Sequence, residues 1–458
     1  MNEDIRAVST RRTAFRLSRR DVLRAGGLGA LAVAAGAVVP ALARTTPRGP
    51  RAAAPVVAAA PAGTVYARLA ATDGHVLLPG RGSPSVLGPG DVPMGDPVYV
   101  FGFVRVPLDV TPDELDVYKG LVQLPAPIIG VDQETELYLT LTNIGLVVRP
   151  DLDDSHTVHW HGFPNATAIF DGVPEVSIAV PVGRDFPYYY NPHRAGSFMY
   201  HCHFEDVEHV QMGMRGSVLV RPSQDGTSMG GYTRFAYNDG DGSTGFEREF
   251  TLHLDEVWTT PHDNLEAIQE TIWPDYDADY WTINARSYPD TILKNNDPAL
   301  PHQPLSSLMQ MNGGERALLR FTNLGYEQQS IQIPGIRMTV VGEDAALLRG
   351  PGGADLSYDT STIYIGPGEG RDVLITAPAF DEDAPFETDA NNDNARYNIY
   401  RLKNRNLHRL TNGGLPGLGG QITELWVYEG TPLDPQAHPN QTYPEFAPAA
   451  PYFDPWIV

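Results

Sequence analysis

The chain has 458 residues, with 33 Lys and Arg against 56 Asp and Glu and a formal net charge of −23. That acidity argues against nucleic acid and anionic membranes as partners and mildly favours cationic or neutral substrates, although it also serves solubility. The length exceeds one ordinary domain, and 45 glycines with 40 prolines suit turn-rich β architecture better than helical bundles, so two β domains are the starting expectation.

The N-terminus carries Ser18-Arg19-Arg20-Asp21-Val22-Leu23-Arg24, then an apolar Gly/Ala-rich run from Ala25 to about Val39, then Ala41-Leu42-Ala43. This is the layout of a twin-arginine export signal over residues 1–43, and the run is too short and too glycine-rich for a membrane anchor. The expected location is therefore secreted or periplasmic, with no membrane span once the signal is removed. Without it the chain has 26 basic and 53 acidic residues, a formal charge of −27. Residues 44–63 read as a Pro/Ala-rich tether.

Residues 64–222 read as a first β domain. Thr111-Pro112-Asp113-Glu114-Leu115 marks a single short helical turn, and Glu136-Leu137-Tyr138-Leu139-Thr140-Leu141-Thr142 has the period-2 alternation of a half-buried strand. The segment Glu134 to Gly145, with Thr142-Asn143-Ile144-Gly145, is echoed about 180 residues later by Glu315 to Gly325, with Thr322-Asn323-Leu324-Gly325. Such self-similarity signals a duplicated domain, here residues 247–430. Residues 223–246, rich in Gly, Asp and Ser, read as a linker. Asp381 to Asn394 reads as a solvated acidic loop rather than a calcium site, and the proline-rich tail 431–458 as an extended strap. Met309-Gln310-Met311 reads as core or edge packing.

The chemistry concentrates between these signals. Cys202 is the only cysteine, so it has no disulfide partner within the chain. It sits in Tyr200-His201-Cys202-His203, with His209 and Met214 following, and His156-Thr157-Val158-His159-Trp160-His161-Gly162 lies upstream. Seven of the 13 histidines fall within about 55 residues. A thiolate, two imidazoles and a weak axial thioether make the soft site that selects copper for one-electron transfer. His156 is the candidate for the second imidazole. In a strand, His159 and His161 share one face, as do His201 and His203, while Cys202 points the other way.

At these residues the chain resembles the multicopper oxidase family, laccase-like proteins built from cupredoxin domains, which are Greek-key β-sandwiches. The resemblance rests on His156-x2-His159-x-His161-Gly162, on Asp171-Gly172, on Ala195-Gly196-Ser197-Phe198-Met199-Tyr200-His201-Cys202-His203, and on His209-x4-Met214. It extends more weakly through Trp281 to Pro289 and Ile365 to Arg371. It implies an all-β fold of two tandem cupredoxin-like domains. It also implies a type 1 copper held by His156, Cys202, His209 and axial Met214, with Met212 competing for the axial place. His159, His161, His201 and His203 would hold type 2 and type 3 coppers, fed with electrons through Cys202. Asp171 resembles the acid that supplies protons to reduced oxygen; a turn aspartate before Gly172 reads equally well. The implied partners are dioxygen and a phenolic, aromatic amine or metal-ion donor.

Two departures from the family stand out. The His203 to His209 spacing is two residues longer than usual and inserts Glu205, Asp206 and Glu208. The second domain has no His-x-His pair: the duplicated strands set Gln332-Ile333-Pro334-Gly335 opposite His159-Trp160-His161-Gly162, and Tyr400-Arg401-Leu402-Lys403 opposite Tyr200-His201-Cys202-His203. A complete trinuclear cluster takes eight histidines, so a homo-oligomer joining four from each of two chains is expected. A nitrite-reductase-like copper enzyme and a type 1 copper electron carrier stay open as alternatives. Against the former, Arg405 stands in Asn404-Arg405-Asn406-Leu407 where that family's ligand histidine falls, and against the latter, a carrier has no use for the four remaining histidines.

Overall fold

The computed structural model describes residues 63–83, 97–164, 166–443 and 452–453. The expected export signal and all but the end of the tether lie outside them.

The chain folds into two β-sandwiches of matching topology. In the first, β1 (Thr64–Val76), β2 (Val98–Arg105), β4 (Glu136–Asn143) and β6 (Arg184–Tyr190) form one sheet in the order β2-β1-β4-β6. The facing sheet contains β3 (Ala126–Asp132), β5 (His159–His161), β7 (Gly196–His201) and β8 (Arg215–Arg221), ordered β3-β8-β7-β5. The alternation read in β4 is the physical cause of this packing: Leu137, Leu139 and Leu141 are fully buried and Tyr138 and Thr140 are not. Trp160 faces the same core, stacked on Tyr190 at 4.1 Å, which leaves His159 and His161 on the opposite face of β5.

The second sandwich repeats the plan. One sheet runs β10 (Tyr280–Ile283), β9 (Arg248–Val257), β12 (Arg316–Asn323), β16 (Gly370–Thr376), β14 (Met338–Glu343). The other runs β11 (Met309–Asn312), β18 (Ile422–Tyr428), β17 (Ala395–Asn404), β13 (Gln329–Gln332), β15 (Ile363–Ile365). In both domains the first strand pairs in parallel with the echoed strand, β1 with β4 and β9 with β12. The echo ends in the same turn twice: Gly145 N–H donates to Asn143 Oδ1 and Gly325 N–H to Asn323 Oδ1, each at 3.0 Å. Met309 and Met311 are wholly buried in the second core.

The ladder corrects one part of the sequence alignment. His159 pairs with His201, and Gln332 pairs with Lys403. Likewise Arg215 pairs with His201 and Ile422 with Lys403. The second-domain counterparts of His159, His161, His201, Cys202 and His203 are therefore Gln332, Pro334, Lys403, Asn404 and Arg405. Tyr400-Arg401-Leu402-Lys403 was expected opposite Tyr200 to His203 and lies two residues out of step.

Other expectations meet local differences. The inserted acids form α1 (Asp206–Met212), whose first turn carries Asp206 and Glu208 where the helix dipole favours negative charge. The acidic segment near 381–394 contains a strand, Phe386–Asp389, paired with β17, because its exposed side chains leave the backbone free to extend the sheet edge. The 223–246 segment is braced by Asp239, whose carboxylate accepts from Gln224, Gly242 and Thr244. Beyond 430, Gln436 and Asn440 bond to the backbone of β9, and residues 452–453 pair with β3.

The β7 sheet of the first domain packs on the β12 and β16 face of the second. Ser197 Oγ donates to Asp372 Oδ1 at 2.5 Å, Ser217 and Thr322 hydroxyls meet at 3.1 Å, and Arg215 pairs with Asp255. This brings second-domain loops against the end of β7, where the histidines lie.

Candidate copper centre

The end of β7 turns at Cys202, which leaves the strand pointing into the first core. Its sulfur lies 3.4 Å from His209 Nδ1 and 3.9 Å from His156 Nδ1, and all three residues are buried. A divalent metal bonded to thiolate sulfur at ~2.3 Å and imidazole nitrogen at ~2.0 Å in trigonal geometry holds those atoms about 3.7 Å apart. The spacing fits. His156 is fixed by a two-way backbone bridge to Val180, and His209 is delivered by α1. Met214 is buried and paired through its backbone to both neighbours, accepting from Cys202 N–H at 3.0 Å and donating to His209 O at 3.0 Å. Met212 is buried in the same apolar cluster.

Electrostatics favour a cation here. Burial lowers the His209 pKa, but the Cys202 sulfur and Asp154 outweigh it and lift it to about 10. Asp154 Oδ2 lies 3.8 Å from His209 Nε2. His156 is held far below its usual pKa by burial and by His209, so its lone pair is free. The sulfur also accepts from the Thr157 N–H at 3.4 Å, and the Thr157 hydroxyl in turn accepts from His203 N–H at 2.8 Å. Sequence reasoning missed Thr157 and Asp154. Their adjacency to His156 was the available signal.

The second cluster begins one bond away. His159, His161 and His201 converge, with His161 Nδ1 3.4 Å from His201 Nε2. His203 stands beside this trio, its ring 5.1 Å from His159 and 5.4 Å from His201, its Nδ1 3.7 Å from Asp206. Burial lowers the pKa of His159, His161 and His201, the last to about 3, so these imidazoles are neutral donors at ordinary pH. Two have one ring nitrogen already engaged: His159 Nδ1 with the Asp171 carbonyl at 2.6 Å and His201 Nδ1 with the Cys202 carbonyl at 2.8 Å. That leaves Nε2 of each as the ring nitrogen that could bind a metal. Asp171 thus acts through its backbone, and its carboxylate is 3.6 Å from the same nitrogen. Gly172 is required at the turn: its φ is +75°, and a Cβ there would lie 2.3 Å from the Val158 carbonyl oxygen.

The second domain lies against this cluster, and among the described residues none of its histidines joins it. A Cβ on Gly368 would lie 2.8 Å from His161 Nε2. A cavity of about 310 Å³ is lined by His161, His201, Val207, Tyr326, Pro367 and Gly368 among others.

Comparison with known proteins decides the family. Two models, each described as multicopper oxidase, match residues 111–225 and 248–395, together more than half of the chain. The chain belongs to the multicopper oxidase family. Membership makes copper the cofactor, and the donor sets above suit it. Laccase-3 of Oryza sativa subsp. japonica is 26% identical over 265 residues, a stretch of 56% of this chain and 39% of that relative, so the chain spans well under half of its length. The fold is similar to the blue copper oxidase of Nitrosomonas europaea (TM-score 0.54, 21% identity, covering 79% of this chain and 85% of that one). It is also similar to the copper nitrite reductase of Nitrosomonas europaea (TM-score 0.51, 16% identity, covering 82% and 98%). No helix among the described residues is long and apolar enough to cross a membrane.

Proposed function

We propose that this chain is an exported copper oxidase that takes single electrons from a phenol, an aromatic amine or a low-valent metal ion and uses them to reduce dioxygen to water. One observation carries this reading: the buried donors of His156, Cys202 and His209 converge on one point, and Cys202 is covalently joined to His201 of the second cluster. When bound, copper supplies a one-electron acceptor at the first site and the means of reducing dioxygen at the second. His156, Cys202 and His209 would hold the first copper with Met214 as a further donor, and His159, His161, His201 and His203 would hold the second set.

The protein's own groups do the rest. Asp171 orients His159 through its carbonyl, and its carboxylate, partly open to solvent, would pass protons toward reduced oxygen. Pro367 and Gly368 line the cavity beside His161. The second domain's Gln332, Pro334, Lys403 and Arg405 offer no imidazole, so the remaining ligands would come from a second copy of the chain. The Arg19-Arg20 signal would direct export.

A nitrite-reductase-like reading rests on one observation of its own. Three imidazoles converge while His203 stands aside, a set that suits a single copper better than half of a trinuclear cluster. The test is copper per chain measured with the mass of the assembly, followed by oxygen uptake with a phenolic donor and, without oxygen, nitrite reduction. Oxygen uptake by an assembly with more than two coppers per chain pair is the expected result. Blue protein that consumes no oxygen with any of the three donor classes would overturn the oxidase reading, and nitrite turnover by it would establish the reductase.

A further inference from the structure

Four aromatic side chains of the second domain line up from the surface to the histidine cavity. Trp273, partly exposed beside the exposed Ile272, stands 6.1 Å from the buried Trp258, which is 5.5 Å from Tyr276, which is 5.3 Å from Tyr326 (centroid distances). Tyr326 lines the cavity with His161 and His201, and its hydroxyl donates to the Val207 carbonyl in α1, the helix that delivers His209. The row therefore ends at the second cluster and at the helix that carries a residue of the first. Indole and phenol rings are the side chains most easily oxidised by one electron, and steps of this length are short for electron transfer. Aromatic packing alone accounts for edge-on pairs worth roughly 0.5–1.5 kcal/mol each, but it does not account for the base placed among them. Glu256, 1% exposed, accepts the Tyr276 hydroxyl at 3.1 Å and also the backbone N–H groups of Tyr326 and Glu327. Burial lifts its pKa to about 7, so a proton delivered there is retained near neutral pH.

We infer that Trp273, Trp258, Tyr276 and Tyr326 form an electron path joining the protein surface to the copper sites, used by aromatic donors too large to enter the histidine cavity. The inference rests on the copper oxidase reading above. A phenol stacked on Trp273 loses one electron to the oxidised indole and releases its hydroxyl proton to water. The electron passes by way of Trp258, Tyr276 and Tyr326 and is taken up at oxidised copper. While Tyr276 is oxidised its hydroxyl proton rests on Glu256, and it returns when the ring is reduced; Tyr326, whose hydroxyl donates to a backbone carbonyl that takes no proton, bridges the last step without itself being oxidised.

The path is tested in reverse and without turnover. Protein loaded with copper(I), free of oxygen, is exposed to photogenerated tris-bipyridyl ruthenium(III), which oxidises exposed indoles, and the blue thiolate-to-copper absorption is followed in time. Trp258→Phe and Tyr276→Phe keep a ring in place and remove the easily oxidised one. Each is expected to slow growth of the blue band at least tenfold, whereas Trp426→Phe, off the row against Tyr397, leaves the rate unchanged. Equal rates in wild type and the two path variants, or the same slowing in Trp426→Phe, would overturn the path and leave the copper reading standing. Copper-loaded wild type with no blue band in either redox state overturns the copper reading and the path together.

Discussion

The two domains share a fold and differ at matching strand ends. In the first, His156 and Cys202 face each other in the core. By ladder register their counterparts in the second are Gln329 and Asn404, and these are bonded directly, Asn404 Nδ2 to Gln329 Oε1 at 3.0 Å. Gln421 Oε1 accepts from the same Asn404 amide at 2.7 Å, and Arg409 donates to Gln329 Oε1 at 2.7 Å. The second domain satisfies with amide hydrogen bonds what the first leaves for a metal. Donor atoms at such points are nearly independent of the leucine and valine pattern that folds the sandwich, so a duplicated domain can lose its site and keep its architecture.

The largest expected effect breaks the first half of the comparison. Cys202→Ser removes the sulfur and is expected to abolish the intense visible band and all oxygen uptake; a variant that keeps either one dissociates the sulfur from the chemistry. His161→Ala leaves the sulfur site intact, so the visible band is expected to stay at wild-type intensity while oxygen uptake falls at least a hundredfold. Loss of the band in that variant would mean that the two clusters are one structural unit.

Asn404→Ala breaks the second half. It deletes the donor that Gln329 and Gln421 share in a fully buried place, and leaving such acceptors short of a partner costs about 2 kcal/mol. Urea unfolding is expected to show that loss with the visible band unaltered. A stability unchanged within about 0.5 kcal/mol would show that the amide pair is not a substitute for the metal but a bystander.

Much of this contrast was legible in the sequence. The Asn-x-Gly turns at 143–145 and 323–325 announced the duplication because a side chain that bonds its own backbone two residues on is a local device, complete within four residues. The ligand run was legible because strand alternation puts Trp160 and Cys202 on one side and the flanking histidines on the other. The register of β17 was not. A slip of two residues keeps every side chain on its own face, so alternation cannot detect it, and only hydrogen-bond pairing can. Nor was the aromatic row, whose members Trp258, Trp273, Tyr276 and Tyr326 come from three separate loops and helix ends and meet only when those loops pack.

The smallest effect concerns the junction of the domains, where α2 (Thr259–Glu266) lays His262 against the first domain. Its Nδ1 bonds the Tyr99 carbonyl at 2.6 Å and burial lowers its pKa from 6.5 to about 4. A folded-state pKa below the unfolded one means that the unfolded chain binds the proton first. Stability is therefore whole above pH 6.5 and is lost as pH falls toward 4, by about 1 kcal/mol between pH 6.5 and 5.5. Asp225 and Glu256, held up to about 7 by burial, act in the opposite sense and gain stability as pH falls. The wild-type curve alone mixes these signs, so the informative quantity is its difference from His262→Gln, measured on copper-free protein by urea unfolding. That difference is expected to shrink by about 1 kcal/mol over the same interval, because the variant has no imidazole to protonate. A difference that stays flat from pH 6.5 to 5.5 would show that His262 takes up its proton in the folded chain, and that the junction between the domains is open to water there.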